Sequence, residues 1–341
     1  RFSIRMLGKG IFNNCPNLTD FDFSSATGTF PDFLAGNTNI TSVVIPEGVT
    51  AIPESAFSGC TSLRSATLPS TLTSIGKMAF YGCHSLEEVE GLDLSIDLGP
   101  YIFRGCSSLK GIDFSSLRGS IPDMAFAEWP GLESMVIPEG VTAIGGKEFE
   151  NCYNLRSIAI PATVKEIRGS AFSGCASLTE VIIPDKVEEM GTNVFYNCTG
   201  LKKVSTPVVS KMMFQSCSQL EEVTLTGQLK VLPEYAFSDC SALKRINLPE
   251  GLTAIMNNAF IGCASLSEIH FPHSTKFIEN EAFAGCTSLR TVYSLVSSPA
   301  AIPENSFTSV TKDEGTLYVP AGTRSLYDAT AGRNFKTIVE M

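Results

Sequence analysis

Apolar residues return along most of the chain in one frame, seen clearly from Leu155 to Cys175 as LRSIAIPATVKEIRGSAFSGC. Written generally it is L-x-x-I-x-I-P-x-x-V-x-x-I-x-x-x-A-F-x-x-C, repeated usually every 23 residues. A fixed period of this size predicts a solenoid, in which each turn buries its apolar face by stacking on its neighbours. In Leu178 to Pro184, the residues Leu178, Val181 and Ile183 are spaced for one inward face, with Thr179, Glu180 and Ile182 between them. That alternation predicts a strand of about four residues. The proline that follows cannot donate to a ladder and ends the strand, as at Pro46, Pro69, Pro138, Pro161, Pro184, Pro249 and Pro272. Val164 and Ile167, three apart, point inward from a return segment. Pro53-Glu54-Ser55-Ala56-Phe57 has the proline and acid of a first helical turn, and Pro122, Pro233 and Pro303 stand likewise, so one short helical turn per repeat is predicted.

Strands recurring once per turn run parallel. With about 4.8 Å per turn on the strand side and more room needed opposite, the stack is expected to curve with its sheet concave. The predicted architecture is an α/β repeat solenoid: an arc with a parallel concave sheet of short strands, and short helical turns and loops on the convex side. Phenylalanines at 12, 33, 57, 80, 103, 126, 149, 172, 195, 214, 237, 260, 283 and 307 predict about 14 turns. All eleven cysteines occupy the slot three residues after such a phenylalanine, and Asn37, Trp129 and Val310 take that slot elsewhere. Ile4, Leu7, Gly8, Lys9 and Phe12 reproduce the second half of the unit ending at Cys83, so the first repeat is expected to be incomplete. The frame breaks at Leu86 to Phe103, where Gly91, Asp93, Asp97 and Gly99-Pro100 replace the usual residues. It breaks again between Cys198 and Cys217, where four residues are deleted, and from Val296 to Pro303. Beyond it, Leu317 to Pro320 reads as a strand, Arg324 to Ala329 as a short helix and Lys336 to Val339 as a closing strand. The expected division is a solenoid over 1–310 and a capping segment over 311–341, since a terminal turn must cover its core with a polar outer side.

The composition, 43% hydrophobic and 18% charged, supports a continuous core and argues against disorder. The net charge of -10 with scattered basic residues excludes the electrostatic footprint of a nucleic-acid or anionic-membrane binder. No apolar run approaches the roughly 20 residues that span a bilayer.

The repeat resembles the BspA-like leucine-rich repeats of bacterial surface proteins, whose unit is C-x-x-L-x-x-I-x-I-P-x-x-V-x-x-I-G-x-x-A-F. Leu63 to Cys83, LRSATLPSTLTSIGKMAFYGC, is close to that unit, and Gly315 to Phe335 resembles a terminal module found in such proteins from gut and oral anaerobes. The resemblance implies export to the cell surface or the exterior of an anaerobic bacterium and, for some members, adhesion to host proteins or cells. The chain lacks the asparagine that follows the strand in the commoner leucine-rich unit, and proline stands there instead.

No catalytic, metal or cofactor signature emerges. Without C-x-x-C spacing a zinc site is excluded, and the one-slot cysteines read as a ladder of free, buried thiols whose side chains run parallel into the core. His270 and His273 lie in IHFPH and His84 follows Cys83, none with acids at ligand spacing. Glu87-Glu88, Glu188-Glu189 and Glu221-Glu222 read as solvated surface. Nucleophile-elbow, phosphate-loop and metalloprotease motifs are missing, so a non-enzymatic protein without cofactors is expected.

Solenoids bind through their concave face. The positions projecting there are Val44, Thr67, Glu90, Asp113, Val136, Ala159, Ile182, Ser205, Thr224, Asn247, His270 and Tyr293. Val136, Ala159 and Ile182, on successive turns, predict an exposed apolar strip. Asn247, His270 and Tyr293, with Arg245 and Arg290, predict a polar, aromatic-bearing surface suited to a glycan or peptide. The expectation is a monomeric surface-binding module for a protein or glycan, host-derived ones included, with candidate contacts Val136, Ala159, Ile182, Asn247, His270 and Tyr293. The alternative is a structural spacer that presents another domain and has no ligand of its own.

Overall fold

The strand slots ahead of the prolines, that of Pro249 excepted, are filled by short parallel strands in a computed structural model, which describes residues 10, 12–19, 28–30, 35–36, 38–296, 302–308, 314–328 and 331–341. Two units, Arg1–Val164 and Lys165–Met341, are built from the same turn. In the first, Ser42–Val44, Ser65–Thr67 and Glu88–Glu90 pair in register, with Ser42 opposite Ser65 and Ser65 opposite Glu88; Ser134–Val136 pairs with Ser157–Ala159. In the second, Glu180–Ile182 pairs with Lys203–Thr206 and that with Glu222–Leu225. A further sheet runs Glu268–Phe271, Thr291–Ser294, Thr316–Val319, Thr337–Glu340. The alternation behaves as read: Val43, Met135, Val181, Ile269 and Val292 are buried, while the residue after each of Val43, Met135, Val181 and Ile269 is exposed.

The return segment is itself a strand. Val49–Ile52, Ser74–Ile75 and Asp97–Leu98 form a second parallel ladder in the first unit, as do Gly119–Ser120 and Val141–Ile144. Glu166–Ile167 with Glu189–Met190, and Val231–Leu232 with Ala254–Ile255 and Phe277–Ile278, do the same in the second. Most turns therefore carry two short strands with the core between them.

The helical turns predicted on the third side do not form. The residue two before each phenylalanine has a left-handed backbone: Ser55, Met78, Tyr101, Met124 and Lys147 in the first unit, Ser170, Asn193, Met212, Tyr235, Asn258 and Glu281 in the second, all with φ of 54–62°. A left-handed residue cannot lie inside a right-handed helix, so the chain folds into successive tight turns instead. Their backbones form a third hydrogen-bonded ladder, in which the N–H groups of Ser55, Phe57 and Gly59 donate to the carbonyls of Lys77, Ala79 and Tyr81 one repeat later. Of the four prolines read as helix starts, Pro303 alone precedes a helical turn, the 3-10 segment Glu304–Phe307. The architecture is thus a parallel β-solenoid of leucine-rich-repeat type with minimal helix, not an α/β one, and about 12 turns stand among the described residues. Eleven turns share the left-handed residue and Phe307 closes one more by its 3-10 turn. Phe12 lacks a complete turn among the described residues. Phe33, Asn37, Val310 and the opening residues Ile4, Leu7, Gly8 and Lys9 lie outside them.

The core is a stack. In the second unit, phenylalanines 172, 195, 214, 237, 260, 283 and 307 stand 5.2–5.8 Å apart between successive ring centroids. Beside it, most thiols donate to the carbonyl of the phenylalanine two markers earlier, as Cys83 to Phe57 at 3.2 Å, Cys240 to Phe214 at 3.2 Å and Cys286 to Phe260 at 3.2 Å, whereas Cys60 donates to the Ala35 carbonyl at 3.0 Å. All eleven cysteines are free, ten of them buried. Burial pushes the thiols of Cys106, Cys152, Cys198 and Cys286 up to about 12, which leaves almost no thiolate for chemistry at neutral pH.

The second unit absorbs its four-residue deletion without losing strand register. Lys203–Thr206 keeps its partners on both sides, and the shortening falls on the return segment, where residues 207–210 form no strand. The C-terminal part follows the reading closely, with a helix at Arg324–Asp328 and Ala329 outside the described residues. Tyr327 is fully buried there, donating its hydroxyl to the Val296 carbonyl at 2.6 Å and meeting the Ser294 hydroxyl at 2.7 Å.

Candidate functional site

The outward slot of a strand is fixed by its inward-facing neighbours, so side chains there stand in rows across the hydrogen-bonded ladder. In the first unit, Val44, Thr67 and Glu90 form one row and Val136 and Ala159 another. Val44 is 63% exposed and Val136 71%, both far above what a β-branched side chain retains in a core. Ala159, beside Val136, is exposed as well. Asp113 lies between the rows on a stretch, Gly111 to Phe114, that forms no strand, and an open depression of about 690 Å³ runs from there to Val136 and Pro138. The Ser115 backbone N–H donates to the Asp113 carboxylate at 2.8 Å and holds that carboxyl below its ordinary range.

In the second unit, Ile182 is 63% exposed and sits opposite Ser205, which sits opposite Thr224. Asn247 is exposed but lies outside any strand. His270 and Tyr293 are brought together, rings stacked with centroids 4.2 Å apart, and Tyr318 continues the stack at 4.6 Å from Tyr293. Tyr318 was missed as a site residue because it falls in the segment read as a cap. Its signal was nonetheless present: T-L-Y-V repeats the alternation of E-I-H-F and T-V-Y-S. Stacking consumes the inner ring faces, so this row offers partners ring edges and polar tips, with an aromatic face only at its ends. Arg290 is tied to Glu314 at 2.7 Å, and Lys203 to Glu222 at 3.1 Å, so ion pairs between turns border the row on the second unit.

Of the expected strip, Val136 and Ala159 stand side by side in the first unit and Ile182 is exposed in the second. Among the described residues, no group of three His, Cys, Asp or Glu is placed to hold a metal, and no helix is long and apolar enough to cross a membrane.

The chain is similar in structure to a leucine rich cell surface protein from Faecalibacterium prausnitzii A2-165, at 25% identity over 86% of this chain and 98% of that one, with a TM-score of 0.47. A leucine-rich repeat protein from Eubacterium ventriosum ATCC 27560 is 24% identical over 76% and 88%, TM-score 0.47. One from Bacteroides ovatus ATCC 8483 is 29% identical over 81% and 92%, TM-score 0.38. No curated protein matches the sequence. The family described as a BspA type leucine rich repeat region of six copies matches residues 29–129, 119–211 and 207–329. Those matches cover most of the chain and the same turns that carry the three ladders, and the protein belongs to the BspA-type leucine-rich repeat family.

Proposed function

We propose that the protein is a non-enzymatic binding module of the cell surface, recognising a protein or glycan partner through the exposed strand slots, the side expected to be concave. The observation that carries this reading is where the apolar exposure falls. Among the described residues the three most exposed large hydrophobic ones, Val44, Val136 and Ile182, occupy the same slot of three different strands. Slots directed to water without a partner favour polar residues, as Thr67, Ser205 and Thr224 illustrate. Val136 and Ala159 form the contact of the first unit. Ile182, Asn247 and the His270–Tyr293 stack supply those of the second, with residues 311–341 serving as the cap that closes the solenoid.

The test is a screen of the chain against immobilised matrix proteins and glycans, followed by Val136→Glu and Ile182→Asp. Both side chains are solvent-facing, so the thermal midpoint should stay within a few degrees while binding falls tenfold or more. A screen without a partner would favour the spacer, and binding indifferent to both substitutions would overturn the strand-slot contact.

A further inference from the structure

A second candidate site lies away from the strand slots, within the first unit, on the ladder of tight turns. There Gly59, Gly82 and Gly105 stack on successive turns, each at positive φ (74°, 69° and 80°), and form the floor of an open groove of about 390 Å³. A Cβ added at Gly105 would stand 3.4 Å from the Gly82 Cα and 3.7 Å from the His84 ring, in space the groove now keeps open. The chemistry comes from the walls. Arg104 lies with its guanidinium 5.6 Å from the Tyr81 ring centroid and 5.4 Å from that of Tyr101, and its Nε meets Glu128 at 2.7 Å. Held on three sides, it loses little freedom on binding a ligand. Among the described residues its outer nitrogens have no hydrogen-bond partner, so their N–H donors remain for one.

His84 supplies the complement. Its Nδ1 lies 2.8 Å from the Gly105 carbonyl, which accepts hydrogen bonds and cannot donate, so Nδ1 carries the proton. In the neutral ring Nε2 is then a bare acceptor. Tyr153, 51% exposed, completes the wall with an aromatic face and a hydroxyl. The groove thus offers aromatic surface together with a fixed donor and fixed acceptors, and the Arg104–Glu128 pair leaves it without net charge.

We propose that this groove binds a neutral carbohydrate of one or two pyranose rings. Sugar hydroxyls both donate and accept, and their C–H faces pack on aromatic rings, which is the combination these walls present. An anionic ligand would face Glu128 beside the only guanidinium, and an apolar one would strand Arg104 and His84 without partners. This site does not depend on the strand-slot reading.

The test is titration of the intact chain, followed by saturation-transfer NMR, with glucose, galactose, N-acetylglucosamine, lactose and diacetylchitobiose, with N-acetylneuraminic acid and inorganic phosphate as anionic probes. At least one neutral sugar is expected to bind saturably. Tyr153→Ala and Arg104→Gln should each weaken it tenfold or more, while Ile182→Asp leaves it unchanged. Tyr153 is exposed enough that its variant folds and decides the matter should Arg104→Gln be unstable. The proposal is overturned if no neutral sugar binds, if anionic probes alone bind, or if binding ignores Tyr153→Ala.

Discussion

The phenylalanine ladders of the two units differ in continuity. In the second unit the rings from Phe172 to Phe307 stack with interplanar angles of 8–14°, through a turn four residues short and into the irregular last repeat. In the first, Phe57, Phe80 and Phe103 stack at 15° and 20°, and then the row is interrupted. Trp129 occupies the cysteine slot there, tilted at 45° to Phe103 and 5.3 Å from it, and Phe114 turns edge-on to Phe126 at 87°. Trp129 preserves the bonding function of the thiol it replaces, since its indole N–H donates to the Leu109 carbonyl at 2.9 Å. It is too large for the slot's packing. The neighbouring segment from Gly111 to Phe114 gives up its strand, and Phe114 fills the space around the indole. The solenoid therefore accommodates a change of length in its return segment more readily than a change of volume at its stacked slots, because a loop can shorten at the surface whereas close-packed rings cannot move independently.

The first unit carries another irregularity one turn later. Glu148 fills the slot before the phenylalanine that Ala56, Ala79 and Ala125 occupy in other turns, and it is fully buried. One carboxylate oxygen accepts the Ala125 N–H at 3.3 Å and the other has no partner, so burial holds the group well above the usual carboxylate range.

Breaking the regular ladder should have the largest effect. Phe237→Ala removes a ring stacked on both sides and should cost about 3–5 kcal/mol in denaturant unfolding of the second unit. Phe114→Ala, at the already tilted junction, should cost visibly less; equal losses would show that ladder continuity contributes nothing. Second in size, Glu148→Met puts into the slot the residue that Met213 supplies in the other unit, and should stabilise the first unit by about 1–4 kcal/mol. The sign with pH follows from the raised carboxyl. Wild type should lose stability as pH rises above the ordinary glutamate range, because the unfolded chain releases a proton that the folded one retains, and the variant should not show that slope. The smallest effect is expected at the C-terminal end, where Tyr327→Phe removes the hydroxyl linking Val296 and Ser294. It should cost about 1–3 kcal/mol, read as a lower thermal midpoint with an unchanged fold by circular dichroism.

Much of this was legible from the chain, and the parts that were not share one cause. Leu178, Val181 and Ile183 announced an inward face and Pro184 its end, since strand alternation and the missing proline donor are local properties. Pro53-Glu54 looked equally local, yet Ser55 adopts a left-handed conformation because its N–H must reach Lys77 in the next turn, a partner that exists only once the repeats have stacked. The glycine, asparagine or aspartate before nearly every cysteine, such as Gly82, Asn151 and Asp239, was a readable sign of that geometry, for these residues tolerate positive φ best.

By itself the sequence determined the period, the inward and outward positions, the strand ends and the burial of the thiols, because each follows from spacing or from the chemistry of one residue. Tertiary structure decided what depends on neighbours 23 residues away: the return segment as a second ladder and tight turns in place of helices. It also joined His270 and Tyr293 with Tyr318, and set Arg104 between Tyr81 and Glu128. A repeat announces that its turns will stack; only the stack determines which unlike residues on successive turns meet.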